Sequence, residues 1–247
     1  MADAPLIPSN WQLPDYFRGR LGVSAGRQRL MIGDKHMLIV AHAVPKTGDS
    51  SRRGLLFWRN AEGEWKASNG DPGKMAIANL LEVYEQTLEQ FETLEAKAQL
   101  AAEYLPLLDG LAPFVRSSRN LYEVLQEARS AAPEVKELID VRDRAYELSR
   151  SAELLYQDAK NSMEVAVVRR AEEQAASSER LANASHRLNT LAAIFFPLAT
   201  LGAVFGTSLT ENWSWSRSSG PFVMFVATGI LLGLVLVGFV NKRPTAR

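Results

Sequence analysis

Few residues in this 247-residue chain are of types that do chemistry, and fewer are spaced to do it together. The histidines are His36, His42 and His186. His36 and His42 fall on one face of a β-strand, because strand side chains alternate, yet no further ligand gathers around them to complete a metal or general-base site. Cysteine is absent, which removes disulfides, thiolate metal sites and cysteine nucleophiles together. No phosphate loop and no Gly-x-Ser-x-Gly elbow occurs, and Gly19-Arg20-Leu21-Gly22 is too short to count as a glycine loop. Glu137, Asp140, Asp143 and Glu147 crowd one helical stretch and could hold a divalent ion between subunits. Arg142, Arg144 and Arg150 interleave with them, however, and that is the pattern of a solvated helix face. Near the C-terminus the hydroxyls of Thr207 and Ser208 follow Gly206, with Glu211 beyond. The expectation is a protein that is not an enzyme and carries no bound cofactor.

The elements that place those hydroxyls lie in the last sixty or so residues. With 28 basic and 28 acidic residues the net charge is zero, so nothing in the total suggests nucleic acid. The mean hydropathy of −0.11 hides a division: nearly all the charge precedes Asn189, and nearly all the continuous apolar sequence follows it. Leu191 to Phe205 and Pro221 to Val240 contain no charge. A helix needs ~20 apolar residues to cross a ~30 Å hydrocarbon core, so the two runs predict two membrane spans. A soluble hairpin of this kind would need burial on every side. Basic residues flank the outer ends, Arg180 and Arg187 before and Lys242, Arg243 and Arg247 after, whereas the loop holds Arg217 beside Glu211. That asymmetry predicts both termini in the cytoplasm, with Trp213 and Trp215 at the water interface. Met1 to Phe17 has no basic segment followed by an apolar core, so no cleavable signal is expected.

Ahead of the spans, Pro5, Pro8 and Pro14 make residues 1–17 an irregular arm. Runs at Arg29–Ile32, His36–Val44, Gly54–Trp58 and Glu64–Ala67, parted by Gly33-Asp34 and Asn60-Ala61-Glu62-Gly63, predict an antiparallel meander. So thin a sheet calls for helices on one face to bury Leu38, Val40, Leu56 and Trp58. Ile77, Leu80, Tyr84, Leu88, Phe91, Leu94 and Ala98 make one helical face running to about Leu105. Pro106 and Gly110 to Pro113 are expected to interrupt it, with a second helix from Phe114 or Arg116 to Ala131. From Glu134 to Phe196 there is no glycine or proline, and Leu138, Val141, Ala145, Leu148, Ala152, Leu155 and Ala159 form a three-four stripe that wants helical partners. Unbroken, this helix is ~95 Å long and enters the first apolar run without a linker; the competing reading breaks it near Ala175 to Ser178. The chain thus divides into a β-containing head (1–70), a helical stalk (71–187) and a two-span region with a basic tail (188–247). The fold class is a mainly α membrane protein. Gly202 with Gly206, and Gly229 with Gly233, are small-xxx-small pairs that let helices approach closely, and Pro197 frees one helical carbonyl.

Ile194-Phe195-Phe196-Pro197-Leu198, then Gly206, the Trp213-Ser214-Trp215 loop, a second apolar run and Asn241-Lys242-Arg243 resemble the C-terminal region of CorA-type magnesium transporters. The resemblance covers about sixty residues, and the stalk by pattern only. It implies two spans per subunit, five subunits around one pore, and long helices leading into the first span. The family signature at the mouth is Gly-Met-Asn, and this chain reads Gly206-Thr207-Ser208. Ser208 offers a shorter, weaker acceptor than an asparagine amide. Carried back from the proline, the family's pore-facing positions are Ala203, Ala199, Phe196, Ala192, Leu188, Ser185 and Ala182, with a Phe196 ring as a hydrophobic gate. Glu211 in a ring would attract cations.

The resemblance implies a CorA-like channel or transporter, a homopentamer in the plasma (bacterial inner) membrane, passing magnesium or another divalent cation passively. Two other functions fit the same sequence. One is a signal-gated pore-forming effector of the prokaryotic defence type, with a small regulatory ligand at the head; the other is a non-conducting, membrane-anchored coiled-coil scaffold.

Overall fold

A computed structural model describes residues 7–22, 24–46, 53–205 and 219–240. Two compact units divide the chain, Met1–Arg169 and Arg170–Arg247. Among the described residues of the first unit, the elements in chain order are α1 (Asp15–Arg18), β1 (Arg29–Gly33), β2 (His36–His42), β3 (Gly54–Arg59), β4 (Trp65–Ala67), α2 (Ala76–Lys97), α3 (Ala101–Ala131) and the start of α4 (Glu137–Phe205). α5 (Ser219–Val240) follows in the second unit.

The strands form the expected antiparallel meander in the order β1-β2-β3-β4. Gly33 pairs with His36, and the two residues between them, Asp34 and Lys35, have φ of 49° and 66°. This tight turn matches the twist of the strands it joins. Strand β2 carries the unbroken apolar run Met37 to Ala41, so both sheet faces must be covered. Ile39, Ala41, Phe57 and Ala67 share a core with α2, α3 and α4, whereas Leu38, Val40, Leu56 and Trp58 share a separate core with Trp11, Leu13 and Phe17. The expected roles of the faces are therefore exchanged. The residues assigned to the helices are buried by the N-terminal arm, which has enough aromatic surface to do so and includes the single turn α1.

At the outer edge of the sheet, a Cβ on Gly73 would stand 1.6 Å from the carbonyl oxygen of Trp65. Only glycine fits there.

The expected helix break at Pro106 and Gly110–Pro113 does not occur. α2 ends at Lys97, and α3 runs through both prolines. A carboxylate makes the break: Glu103 Oε2 accepts the backbone N–H groups of Gln99 and Leu100 at 2.8 and 3.0 Å, satisfying donors that a helix start leaves open. Those bonds hold its carboxyl below the usual 4.5. Tyr104 adds a bond from its hydroxyl to the Ala98 carbonyl at 2.7 Å. The prolines are tolerated because the carbonyls they free, those of Ala102 and Asp109, belong to exposed residues that water can reach.

α4 is helical for 69 residues, with no interruption at Ala175–Ser178. Leu138, Ala145, Leu148, Ala152, Leu155 and Ala159 are buried in the core shared with α2 and α3. The stripe finds its partners within the same chain.

The expectation of two membrane spans is overturned as well. Among the described residues no helix is long and apolar enough to cross a membrane. The fold class is corrected accordingly, from a membrane protein with two spans to a mainly helical chain with a small antiparallel sheet head. In α4 the uncharged stretch begins only after Arg187, and the helix ends at Phe205.

Candidate functional site

The pore-mouth residues expected from the sequence, Gly206, Thr207, Ser208 and Glu211, lie outside the described residues, as do Trp213, Trp215 and the basic tail. The lining positions are described. Ser185, Leu188, Ala192, Phe196, Ala199 and Ala203 recur at three- and four-residue steps along α4, so helical geometry sets them on one face. All are exposed, Phe196 at 73% and Leu188 at 66%.

Another face of the same stretch is occupied. A Cβ on Gly233 would meet the Ile194 Cα at 3.2 Å, and one on Gly229 would meet the Leu198 Cδ2 at 2.7 Å. Gly202 lies toward Phe225, 4.0 Å from its ring by the same measure. The Gly229–Gly233 pair therefore seats α5 on α4 within one chain, and small residues are what permits that approach. This leaves the Phe196 face as the one without a partner in the single chain. It can exclude water and pack against apolar surface. Of the six lining positions named, Ser185 alone carries a side-chain oxygen.

Acidic metal chemistry does not assemble in the first unit. Among the described residues no group of His, Cys, Asp or Glu is arranged to hold a metal. Asp143 lies 2.9 Å from Arg142 Nε, although Arg142 Nε has no partner in hydrogen-bond geometry. Arg150 lies 4.0 Å from Glu153. Arg144 donates to both oxygens of Glu85 on α2, at 3.0 and 2.8 Å, and Glu85 raises its already high pKa further. These are the solvated pairs that interleaved charge predicts, with one fork tying α4 to α2.

The histidines are used structurally. His36 Nδ1 accepts the Trp58 indole N–H at 3.3 Å and stacks on that ring. His42 Nε2 meets the Gly26 carbonyl at 2.8 Å.

A buried polar cluster escapes sequence reasoning. The Tyr84 hydroxyl lies 2.7 Å from Ser117 Oγ and donates toward the His42 carbonyl at 3.2 Å. Gln28 Nε2 donates to the Ser117 carbonyl at 2.8 Å. Burial pushes the Tyr84 hydroxyl up to about 12, with the Ser117 bond opposing the rise. A phenol so reluctant to ionise is a poor general base near neutrality. The cluster instead ties α2 and α3 to the sheet. Tyr84 sits within an apolar stripe, and Ser117 and Gln28 carry no motif, so only the fold reveals them.

No protein-family model matches the sequence, and no curated protein does. Among solved structures the chain is similar to the CorA magnesium transporter from Methanocaldococcus jannaschii, at 14% identity over 90% of this chain and 81% of that chain, with a TM-score of 0.42. A likeness of that size assigns neither a family nor an activity to this chain.

Proposed function

We propose that this chain is a CorA-like homo-oligomer that works at the plasma membrane and passes cations passively along a central path lined by Ser185, Leu188, Ala192, Phe196, Ala199 and Ala203. The observation that carries the reading is the exposed apolar face of α4 beside an intrachain seat for α5. With α5 seated through its glycines, the Phe196 face remains to be covered, and other copies of the chain would cover it. The succession Ile194 to Leu198, Gly206-Thr207-Ser208 and Asn241-Lys242-Arg243 supports the same reading at the level of sequence. Ser208 and Thr207 supply the hydroxyls that would meet a hydrated ion, and magnesium, which keeps its waters, is a candidate cargo. Phe196 acts as the gate by dewetting.

Purified oligomer in liposomes tests this directly. Cation flux is expected, and Phe196→Ala is expected to raise the resting leak. Absence of flux from a correctly assembled oligomer removes the proposal. The second reading, a non-conducting scaffold, is favoured by the shortage of side-chain oxygens along the described lining. Subunit count separates the two, since a dimer leaves no central path.

A further inference from the structure

The sheet has two covers of different kinds. The helical layer is joined to it by apolar packing and by buried long-range bonds, Tyr84 to the His42 carbonyl and Gln28 to Ser117. On the other face, Trp11, Leu13 and Phe17 of the arm share a core with Leu38, Val40, Leu56 and Trp58, the Trp11 and Trp58 rings 5.6 Å apart. Among the described residues, every hydrogen bond made by 7–18 closes within 7–21. The Trp11 N–H donates to Pro8, the Phe17 N–H to Pro14, and the Gly19 N–H to Asp15. Arg18 Nη2 donates to the Trp11 carbonyl at 2.7 Å and Arg18 Nε to the Leu13 carbonyl at 3.0 Å. Arg18 therefore folds the arm into a clip and does not fasten it to the strands.

From this we infer that segment 7–18 is a releasable strap, shaped by Arg18, which lifts off as a unit and bares the Leu38, Val40, Leu56 and Trp58 face while the helical layer stays closed. Lifting breaks apolar contacts and no hydrogen bond to the sheet, and the two cores are separate, so the opening is local. The bared face keeps its form. Trp58 remains held by His36 and lies under the Lys66 ammonium, 5.3 Å from its ring centre.

The absence of cysteine allows a direct test on the full chain in its native assembly. Single variants Leu56→Cys, beneath the strap, and Leu81→Cys, beneath the helices, are labelled with a thiol reagent; Val40→Cys stands in where Leu56→Cys does not fold. Labelling beneath the strap is expected to be at least about tenfold faster than beneath the helices. Adding Arg18→Ala is expected to speed the first about tenfold further and leave the second unchanged. Equal rates at the two positions, or no response to Arg18→Ala, overturn the inference.

Discussion

From Leu138 to Ala159, α4 buries its apolar stripe against α2 and α3, whereas between Leu181 and Ala203 one apolar face stands open in the single chain, Leu181 at 69% and Phe196 at 73% exposure. The same helix and the same three-four period have opposite outcomes. Periodicity states that a face must be covered, and the covering element is chosen by what else the chain supplies. In the first stretch alanine alternates with leucine at Ala145, Ala152 and Ala159, which lets neighbouring helices close in. In the second, α5 packs against α4 among the described residues, and its glycines use a different face.

Matched truncations give the widest separation between the two stretches. Phe114 is fully buried and packs against Tyr84 and Phe91, so Phe114→Ala is expected to cost ~3–5 kcal/mol in denaturant unfolding of the first unit. Phe196→Ala, by contrast, should leave that unfolding unchanged and weaken self-association, read by sedimentation. Equal effects of both on unfolding would erase the contrast. Next in size, Gly233→Ala crowds α5 against the Ile194 backbone, which must give by a few tenths of an ångström, and should cost about 1 kcal/mol in the second unit, followed by its own thermal transition.

Tyr84 sharpens the comparison through pH. Its folded value, about 12, lies above the ordinary 10.0, so its contribution is complete below pH 10 and is lost as pH rises through 12. Tyr84→Phe should remove that alkaline limb while costing about 1–2 kcal/mol at neutral pH from the lost buried bonds, as pH-dependent unfolding would show. The Glu85–Arg144 fork is more than a third exposed on both sides, so a double-mutant cycle should return less than ~1 kcal/mol despite its geometry. Smallest is Glu103→Gln. A depressed carboxyl contributes above its unfolded value and loses that contribution as pH falls below it, so this variant should flatten the acid limb of helical content slightly.

Much of the first unit was legible in the sequence because its signals are local. Turn residues at Gly33-Asp34 and Asn60–Gly63 bounded the strands, and the stripes of α2 and α4 marked their buried faces. What failed depended on choices between local signals. Proline was weighed as a breaker at 106 and 113, yet a carboxylate reaching back from Glu103 set the boundary earlier. The expectation of two membrane spans rests on apolar runs, yet among the described residues no helix is long and apolar enough to cross a membrane. For the lining, spacing placed Ser185 to Ala203 on one exposed face, but the hydroxyls that would define selectivity, Thr207 and Ser208, lie outside the described residues.

The close approach of Gly73 to Trp65 also covers an edge of the sheet. Just before β4 the Glu64 carbonyl accepts the Asn60 N–H, so by strand alternation the next carbonyl, that of Trp65, points to the open side of the sheet. Gly73 lies against that oxygen. The passage from sheet to helix thus doubles as a guard rail: a stray strand seeking to extend the meander would find its docking place already taken. Any side chain at position 73 would lift the rail, and the first symptom would be clumping of a protein that is otherwise still folded.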